Sequence, residues 1–358
     1  MKNLTIKNTK IKFPIIQGGM GIGVSLHQLA NAVAKEGGMG VLSSAALDRI
    51  LTKRYGKKFT TYEAVRKEIE LAKESGGAIG INIMVAVSKD YEDSVRASID
   101  AGVTAIISGG GLPLSLPSIA KPKDTALIPI VSSARSLELI CKKWEKQGYR
   151  PDAWILEGPL AGGHLGIKIE DIDKEEHSLE NLLPQVKEVA KKYGDFPVIA
   201  AGGIVTSEDI KKIIGLGADG VQMGTRFLVA EESGATYDYK QAVINSSKED
   251  IIVAYKPGSP CGLPFRIIKS SPMYKSILER KRPPKCNMGY VLGRDEQGRY
   301  SVCSAKEKND TAFCICNGLL SSGGYNTEIE EPLYTVGAMA YKVKKIQPVS
   351  EIFKELFL

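Results

Sequence analysis

The chain has 358 residues, of which 43% are hydrophobic and 25% are charged, a composition that supports a packed core and excludes a disordered chain. Its formal net charge of +7 gives a mildly basic surface that could attract anionic ligands. No run of Lys and Arg is interleaved with aromatic residues, and the densest basic run, residues 275–285, is short and proline-rich, so nucleic-acid binding is not expected.

Targeting signals are not evident. The N-terminal segment before the first predicted strand has no apolar stretch long enough for a secretion signal, and no run of about 18 apolar residues could span a membrane. The 6 cysteines are too few for a secreted disulfide scaffold of this length. We therefore expect a cytoplasmic protein that binds neither membrane nor nucleic acid.

One pattern repeats from residue 14 to residue 230: a short apolar run, a glycine-rich or polar turn, and an amphipathic stretch. The apolar runs predict eight strands, at residues 14–17, 40–43, 79–84, 105–108, 127–132, 153–156, 197–201 and 220–223. Most runs are continuous rather than alternating, as expected of parallel strands covered on both faces. Between them, helices are predicted at residues 26–36, 62–74, 91–101, 136–147, 179–193 and 207–216. Eight such units predict an α/β fold, a TIM (β/α)8 barrel, rather than an open doubly wound sheet.

The repeat stops after residue 230. Residues 231–345 are richer in Pro, Ser, Lys and Cys, and we expect them to form an irregular cap over the barrel (residues 1–230) that contributes the substrate region. Residues 346–358 are expected to close the fold with one amphipathic helix, over residues 349–358. Four of the cysteines in the cap are close together in sequence: Cys286, Cys303, Cys314 and Cys316. They form no CxxC pair, so buried thiols are favoured over zinc or an iron–sulfur cluster, and no metal site is predicted.

Glycine-rich or polar turns follow six of the predicted strands at their carboxyl ends, where TIM barrels place their active sites. The turns contain residues 18–21, 82, 109–111, 157–158, 202–203 and 224–225. A tight turn explains any one of these glycines, because glycine adopts positive φ at little cost. Six at the same end favour a binding site.

The turns after the seventh and eighth strands, residues 201–204 and 222–225, are the strongest candidates for a phosphate site. Glycines let backbone N–H groups approach an anion, and a helix starting near Thr206 would add its positive end. Ordinary turn geometry is the alternative. A dinucleotide fingerprint fits poorly at residues 19–23, because the third glycine comes one residue early and no acidic residue closes the second strand.

His164 lies in the glycine-rich segment beyond the sixth strand, where it would be accessible to a ligand. An imidazole there could act as a general base on a carbon acid or as a proton donor. His27 and His177 lie in helix-like or charged contexts, so position favours His164. A histidine metal site is not expected, because no second ligand lies three or four residues away.

Several segments together resemble a known family. They are residues 15–21 (IIQGGMG), 80–84 (GINIM), 157–158 (EG), 161–166 (AGGHLG), 197–204 (PVIAAGGI) and 217–227 (GADGVQMGTRF). These closely resemble the nitronate monooxygenase (2-nitropropane dioxygenase-like) family, and the flavin-dependent enoyl-acyl-carrier-protein reductases share the same motifs. The resemblance covers residues 10–230 in order and also touches residues 259–264 and 346–351.

The resemblance implies FMN bound without covalent attachment. By motif match, Gly19 and Met20 would line the flavin ring, Asn82 would meet the ring or the ribityl chain, and Glu157 would support the site. The phosphate would be held by Gly202, Gly203, Gly224 and Thr225. The remaining cofactor-binding positions are Gly18, Gly162, Gly163, Ala201, Gln222 and Met223. His164 matches the catalytic histidine of the family.

The resemblance leads to one main functional hypothesis and two alternatives. The main one is FMN-dependent oxidation of nitronates or nitroalkanes by O2, with His164 as the catalytic base. The first alternative is an NAD(P)H-dependent reductase of an enoyl thioester, although the cap is longer than a minimal reductase needs. The second is a non-enzymatic flavin-binding module. In either enzyme the substrate is a small molecule, and a homodimer is an assembly state to be tested.

Overall fold

The computed structural model describes residues 2–87, 89–255, 257–260, 262–279, 303 and 313–357. In chain order, the strands are β1 (Leu4–Ile6), β2 (Thr9–Ile11), β3 (Ile15–Gln17), β4 (Met39–Ser43), β5 (Ala78–Met84), β6 (Ala105–Gly109), β7 (Ala126–Val131), β8 (Trp154–Glu157), β9 (Gly163–His164), β10 (Val198–Ala201), β11 (Gly220–Met223), β12 (Ile251–Ala254) and β13 (Phe265–Ile268).

The helices in this part of the chain are α1 (His27–Lys35), α2 (Leu47–Tyr55), α3 (Thr61–Lys73), α4 (Tyr91–Asp100), α5 (Leu116–Ile119), α6 (Ala134–Glu145), α7 (Leu179–Tyr193), α8 (Ser207–Gly215), α9 (Thr225–Leu228), α10 (Tyr237–Ile244), α11 (Pro272–Leu278), α12 (Ile315–Ser322) and α13 (Val349–Phe357). Short 3₁₀ turns occur at Ile169–Asp171, Glu175–His177, Lys248–Asp250 and Ala340–Lys342.

Strands β3 to β8, β10 and β11 form a closed parallel barrel, in which β11 pairs with β3. The predicted TIM barrel is therefore confirmed. Each predicted strand agrees with the observed one to within one residue at either end, and each of the six predicted barrel helices agrees to within two. The agreement has a simple cause, because continuous apolar strands and amphipathic helices carry the clearest periodic signals.

The amino-terminal end of the barrel is plugged. Strands β1 and β2 form an antiparallel hairpin whose Leu4, Ile6 and Ile11 are buried in one cluster with the side chains that fill the barrel. A Cβ atom on Gly220 would lie only 3.0 Å from Leu4 Cδ2, so the hairpin packs tightly against β11 at this glycine. A ligand site is thereby directed to the opposite end, which we call the barrel mouth: the carboxyl ends of the barrel strands.

The cap is partly regular. Strand β9, which follows β8 in the chain, pairs with β13, and β13 pairs with β12, so a three-stranded antiparallel sheet joins the cap to the barrel mouth. Tyr239, Tyr334 and Val336 of the cap share a buried cluster with Val24 and Leu228 from the barrel loops. The cap therefore packs directly on the mouth, while the division of the chain at residues 230 and 345 stays a prediction.

The predicted C-terminal helix is present as α13, which packs on the outside of the barrel against α1, α8 and α9. Its Phe353 is 3% exposed, and its ring lies 5.7 Å from that of Phe13 and 6.1 Å from that of Phe227. Glu232 accepts hydrogen bonds from the Val349 N–H at 3.1 Å, which satisfies a donor at the start of the helix. The helix thus completes the outer layer between α1 and α8.

Candidate active site at the barrel mouth

The turn after β3 is held by two polar side chains that sequence reasoning missed. The buried Gln17 accepts from the Val41 N–H at 2.9 Å and donates to Ser25 Oγ at 2.8 Å. Ser25 Oγ in turn accepts from the Met20 N–H at 2.9 Å. The sequence did contain a signal for this contact: Gln17 ends an otherwise apolar strand, and a buried amide requires hydrogen-bond partners.

Glycine is required in this turn by the closeness of β4 and β5. A Cβ atom on Gly19 would lie 2.3 Å from Asn82 Cβ, which is closer than the two atoms can approach, and 3.0 Å from the Leu42 carbonyl oxygen, which is a tight contact. A Cβ atom on Gly224 would lie 3.7 Å from Met20 Sδ. The structure therefore brings Gly19, Met20, Asn82 and Gly224 together, and Gly18 N–H donates to the Met223 carbonyl oxygen at 2.8 Å beside them.

Three predicted residues form one row across the mouth. Ala201 pairs in register with Glu157 on one side and with Gln222 on the other. Ile155 and Ile199, two residues earlier on their strands, fill the barrel interior, so Glu157 and Ala201 also face inward. Gln222 Oε1 is buried without a hydrogen-bond partner in the part of the chain that the structure describes. A buried acceptor of this kind is open to a hydrogen-bond donor from water or from a ligand at the mouth.

The turn after β10 has the backbone expected of a phosphate loop. Gly202 and Gly203 have φ of +102° and +78°, which side-chain-bearing residues rarely adopt. Within the described residues, no group accepts a hydrogen bond from the N–H of Gly203, Ile204 or Gly224. These amides remain available for an anion.

Helix α8 begins after this turn, as predicted, but its start is already capped. Thr206 and Asp209 form a capping box, and the Asp209 carboxylate accepts from the N–H groups of Val205 and Thr206 at 2.9 and 3.0 Å. The carboxylate offsets the positive end of the helix. The turn amides, rather than the helix terminus, are therefore the better anion donors.

Residues 335–338 of the cap cover the loop that carries Gly162 and Gly163, a contact that the sequence did not predict. The Gly337 N–H donates to Thr225 Oγ1 at 2.9 Å, and the Ala338 N–H donates to the Leu160 carbonyl oxygen at 3.0 Å. A Cβ atom on Gly162 would lie 2.6 Å from the Val336 carbonyl carbon, so only glycine fits. The cap thus fixes both Thr225 and the histidine loop.

His164 lies on strand β9 rather than on a free loop. It pairs with Phe265 of β13, its ring packs edge-on against the Phe265 ring at 4.7 Å, and its Nε2 lies 2.9 Å from Ser259 Oγ. Burial lowers the pKa of His164 to about 4. The imidazole is therefore neutral at pH 7 and able to accept a proton. Ser259 was noted only within residues 259–264, and no role was predicted for it.

The loop that leads to His164 starts after a partly exposed carboxyl, Glu157, and is contacted by a buried guanidinium, Arg266. Burial raises the pKa of Glu157 to about 7, although the Arg266 charge lowers it in part. Arg266 is 4% exposed and donates from Nη1 to the carbonyl oxygens of Pro159, at 2.8 Å, and Ala161. Burial also lowers the pKa of Arg266 to about 10. Arg266 was not predicted, since a lone arginine just after residues 259–264 carries no pattern.

The other candidate ligands lie elsewhere. His27 Nδ1 lies 2.8 Å from the buried Glu68 Oε1 at the start of α1, and His177 lies in a 3₁₀ turn. Cys303 and Cys314 are buried, whereas Cys286 lies outside the described residues. Over the described ranges, no group of three or more His, Cys, Asp or Glu could hold a metal ion, and no helix is long and apolar enough to cross a membrane.

Comparison with known proteins agrees with these features. Residues 2–358 match the family model described as nitronate monooxygenase. Probable nitronate monooxygenases of two Staphylococcus aureus strains, MSSA476 and MRSA252, are 26% identical over 317 residues, covering 77% of this chain and 82% of theirs.

Solved structures are similar over almost the whole chain. FabK from Thermotoga maritima is 26% identical with a TM-score of 0.70, covering 97% of this chain and 92% of its own. A nitroalkane oxidase from Streptomyces ansochromogenes, 21% identical with a TM-score of 0.68 over 97% and 95% of the two chains, shares the fold. The family match, which includes the cap and α13, carries the assignment: the chain belongs to the nitronate monooxygenase family, a family of flavin-dependent oxidoreductases.

Proposed function

We propose that the protein binds FMN at the barrel mouth and oxidises small nitronates or nitroalkanes with O2, with His164 as the catalytic base. The observation that carries the proposal is a neutral imidazole at the same end of the barrel as glycine turns with free amides. Those amides, and Oε1 of the inward-facing Gln222, lack hydrogen-bond partners among the described residues. The family assignment supports a flavin, and its identity as FMN is part of the proposal.

The residues at the mouth fit FMN. The free N–H groups of Gly203, Ile204 and Gly224 suit its phosphate, since backbone amides of glycine turns are common anion donors. Gln222 Oε1, an acceptor, suits the imide N–H of a flavin ring. Gly19 lets the turn after β3 lie directly against Asn82, so both residues are available at the same place for a flavin ring. When bound, FMN supplies the electron-transfer chemistry.

The protein supplies the base and its placement. A neutral His164 can remove the proton from the carbon that bears the nitro group, which converts a nitroalkane to its nitronate. Pairing of β9 with β13 and the contact with Ser259 hold the ring in one orientation. Arg266 holds the preceding loop through its two carbonyl contacts, so the cap and the barrel position the base together.

Anaerobic reduction of the flavin tests the proposal. The purified holoenzyme is mixed without O2 with propionate 3-nitronate, with a nitroalkane, or with NADH, and flavin absorbance is followed. Rapid bleaching by the nitronate or nitroalkane is expected. Bleaching by NADH alone would contradict the proposal and favour a reductase.

The role of His164 is tested with the His164→Asn variant. Asn keeps a polar side chain but cannot act as a base near neutral pH. We expect turnover of the nitroalkane to fall by about a hundredfold or more, the usual scale for a general base, while FMN stays bound. Unchanged turnover would exclude His164 as the base, and a non-enzymatic flavin-binding protein would show no turnover in either form.

A further inference from the structure

Glu157 has an unusual position for a charged residue. It ends β8 at the barrel mouth, faces inward in the same row as Ala201 and Gln222, and makes no hydrogen bond or ion pair with another described residue. Ala201, the residue beside Glu157 on β10, has a methyl side chain and so offers the Glu157 carboxyl no hydrogen bond. The carboxyl and the orphaned Gln222 oxygen therefore border the same part of the mouth.

The charged groups around Glu157 can be named by element. Among the described residues, Arg266 of β13 is the one charge that acts on it, and that guanidinium is already bound to two carbonyl oxygens of the loop after β8. From β9, His164 is neutral. The facing residues of β10 and β11, Ala201 and Gln222, are uncharged. Asp173 acts on Arg266 and so weakens its effect.

We propose that Glu157 is a second acid–base group of the site, which takes up one proton from solvent when an anionic nitro compound binds at the mouth. This inference rests on the proposed function. The step is a protonation of the carboxylate oxygen with no change in oxidation state.

The physical reason is charge repulsion in a poorly solvated space. Two anions a few ångströms apart there repel more strongly than in water, and the carboxylate can remove its charge by binding a proton, whereas the nitronate cannot do so at little cost. Because the pKa of Glu157 is already about 7, only a small additional field is needed to protonate it fully. Arg266 alone does not neutralise both anions.

Proton uptake is measured by titration calorimetry of the FMN-loaded enzyme with sodium nitrite, an anion with the same NO2 group. The titration is run at pH 7.5 in phosphate and in Tris, whose heats of ionisation differ. We expect about half to three quarters of a proton taken up per nitrite bound, because a carboxyl with a pKa of about 7 is already about one quarter protonated at pH 7.5. In Glu157→Gln the uptake should disappear, with nitrite bound at least as tightly. His164→Asn is the matched control and should keep the uptake of the wild type.

Uptake that is equal in wild type and Glu157→Gln, or no uptake in the wild type, would overturn the inference, as would failure of nitrite to bind. The titration of Glu157 is also followed without ligand, from the infrared band of protonated carboxyls. A band lost as the pH rises through about 7 in the wild type and absent from Glu157→Gln is expected.

Identical bands in the two proteins would likewise overturn the inference. A failure of the proposed function gives a different result. The enzyme would then not turn over nitronates, but the proton uptake on nitrite binding and the infrared band of Glu157 would be as expected.

Discussion

A charge placed in the proposed phosphate turn should expel FMN but not riboflavin. Gly203, at φ +78°, offers a free N–H, and any side chain there projects toward Leu160, whose Cδ1 would lie 2.8 Å from the new Cβ. We compare Gly203→Asp with Gly203→Asn, which has the same shape without the charge. Asn also tolerates positive φ better than most residues.

The expected size of the effect follows from Coulomb's law. One carboxylate about 5 Å from a phosphate charge, at an effective dielectric constant of about 20, costs about 3 kcal/mol, or about a hundredfold in affinity. The backbone strain is shared by the Asp and Asn variants and cancels in their comparison. Gly203→Asp should therefore bind FMN about a hundredfold more weakly than Gly203→Asn, and less so at high salt.

The assay is a titration of the apoprotein with FMN or riboflavin, followed by the quenching of flavin fluorescence. Riboflavin lacks the phosphate, so the Asp and Asn variants should bind it equally. Gly217→Ala is the control for strain: Gly217 has φ +104°, but a Cβ atom there would meet nothing within 4 Å. That variant should lose about 1 to 2 kcal/mol of stability and keep its FMN affinity. FMN affinities of the Asp and Asn variants within threefold of each other would refute the placement of the phosphate.

Three further outcomes are expected. In Glu157→Gln, the acid limb of the pH profile of kcat should lie near pH 4, the pKa of His164, and a limb near 6.5 would show an unperturbed histidine. Because the pKa of Glu157 is raised from 4.5 to about 7, its ionisation opposes folding increasingly as pH rises through that range. Glu157→Gln should therefore stabilise the protein at pH 8, by on the order of 2 kcal/mol, and leave its stability unchanged at pH 4.5. Melting temperatures of variant and wild type that differ equally at both pH values would contradict this. Phe353→Ala should lower the free energy of unfolding by about 3 to 4 kcal/mol in urea titrations. Lys354 is exposed, so Lys354→Ala should change that free energy by less than about 0.5 kcal/mol. Equal losses in the two variants would show that α13 is not docked through Phe353.

Much of the barrel could be predicted because its signals are local. Apolar runs such as residues 79–84 and 220–223 give strands directly, and Thr206 followed by Asp209 marks a helix start. Helix α2 was missed because most of its residues are polar and only Leu47, Ile50 and Leu51 are buried. The hairpin of β1 and β2 was missed because three-residue strands carry too short a pattern.

The candidate site could be located but not assembled from the sequence. Motifs place His164, Asn82 and the glycine turns at the same end of the barrel. The contacts that act on them come from distant parts of the chain: Ser259 lies 95 residues from His164, and Arg266 lies 105 residues from the Ala161 carbonyl that it binds. Such pairings depend on how the cap packs on the barrel, which no local pattern encodes.

The central claim is that the barrel mouth holds FMN. It is tested most directly by the visible absorption spectrum of the purified protein, followed by identification of the flavin that is released on denaturation. We expect a yellow protein that releases about one FMN per chain. A colourless protein that takes up no FMN when incubated with it would contradict the account.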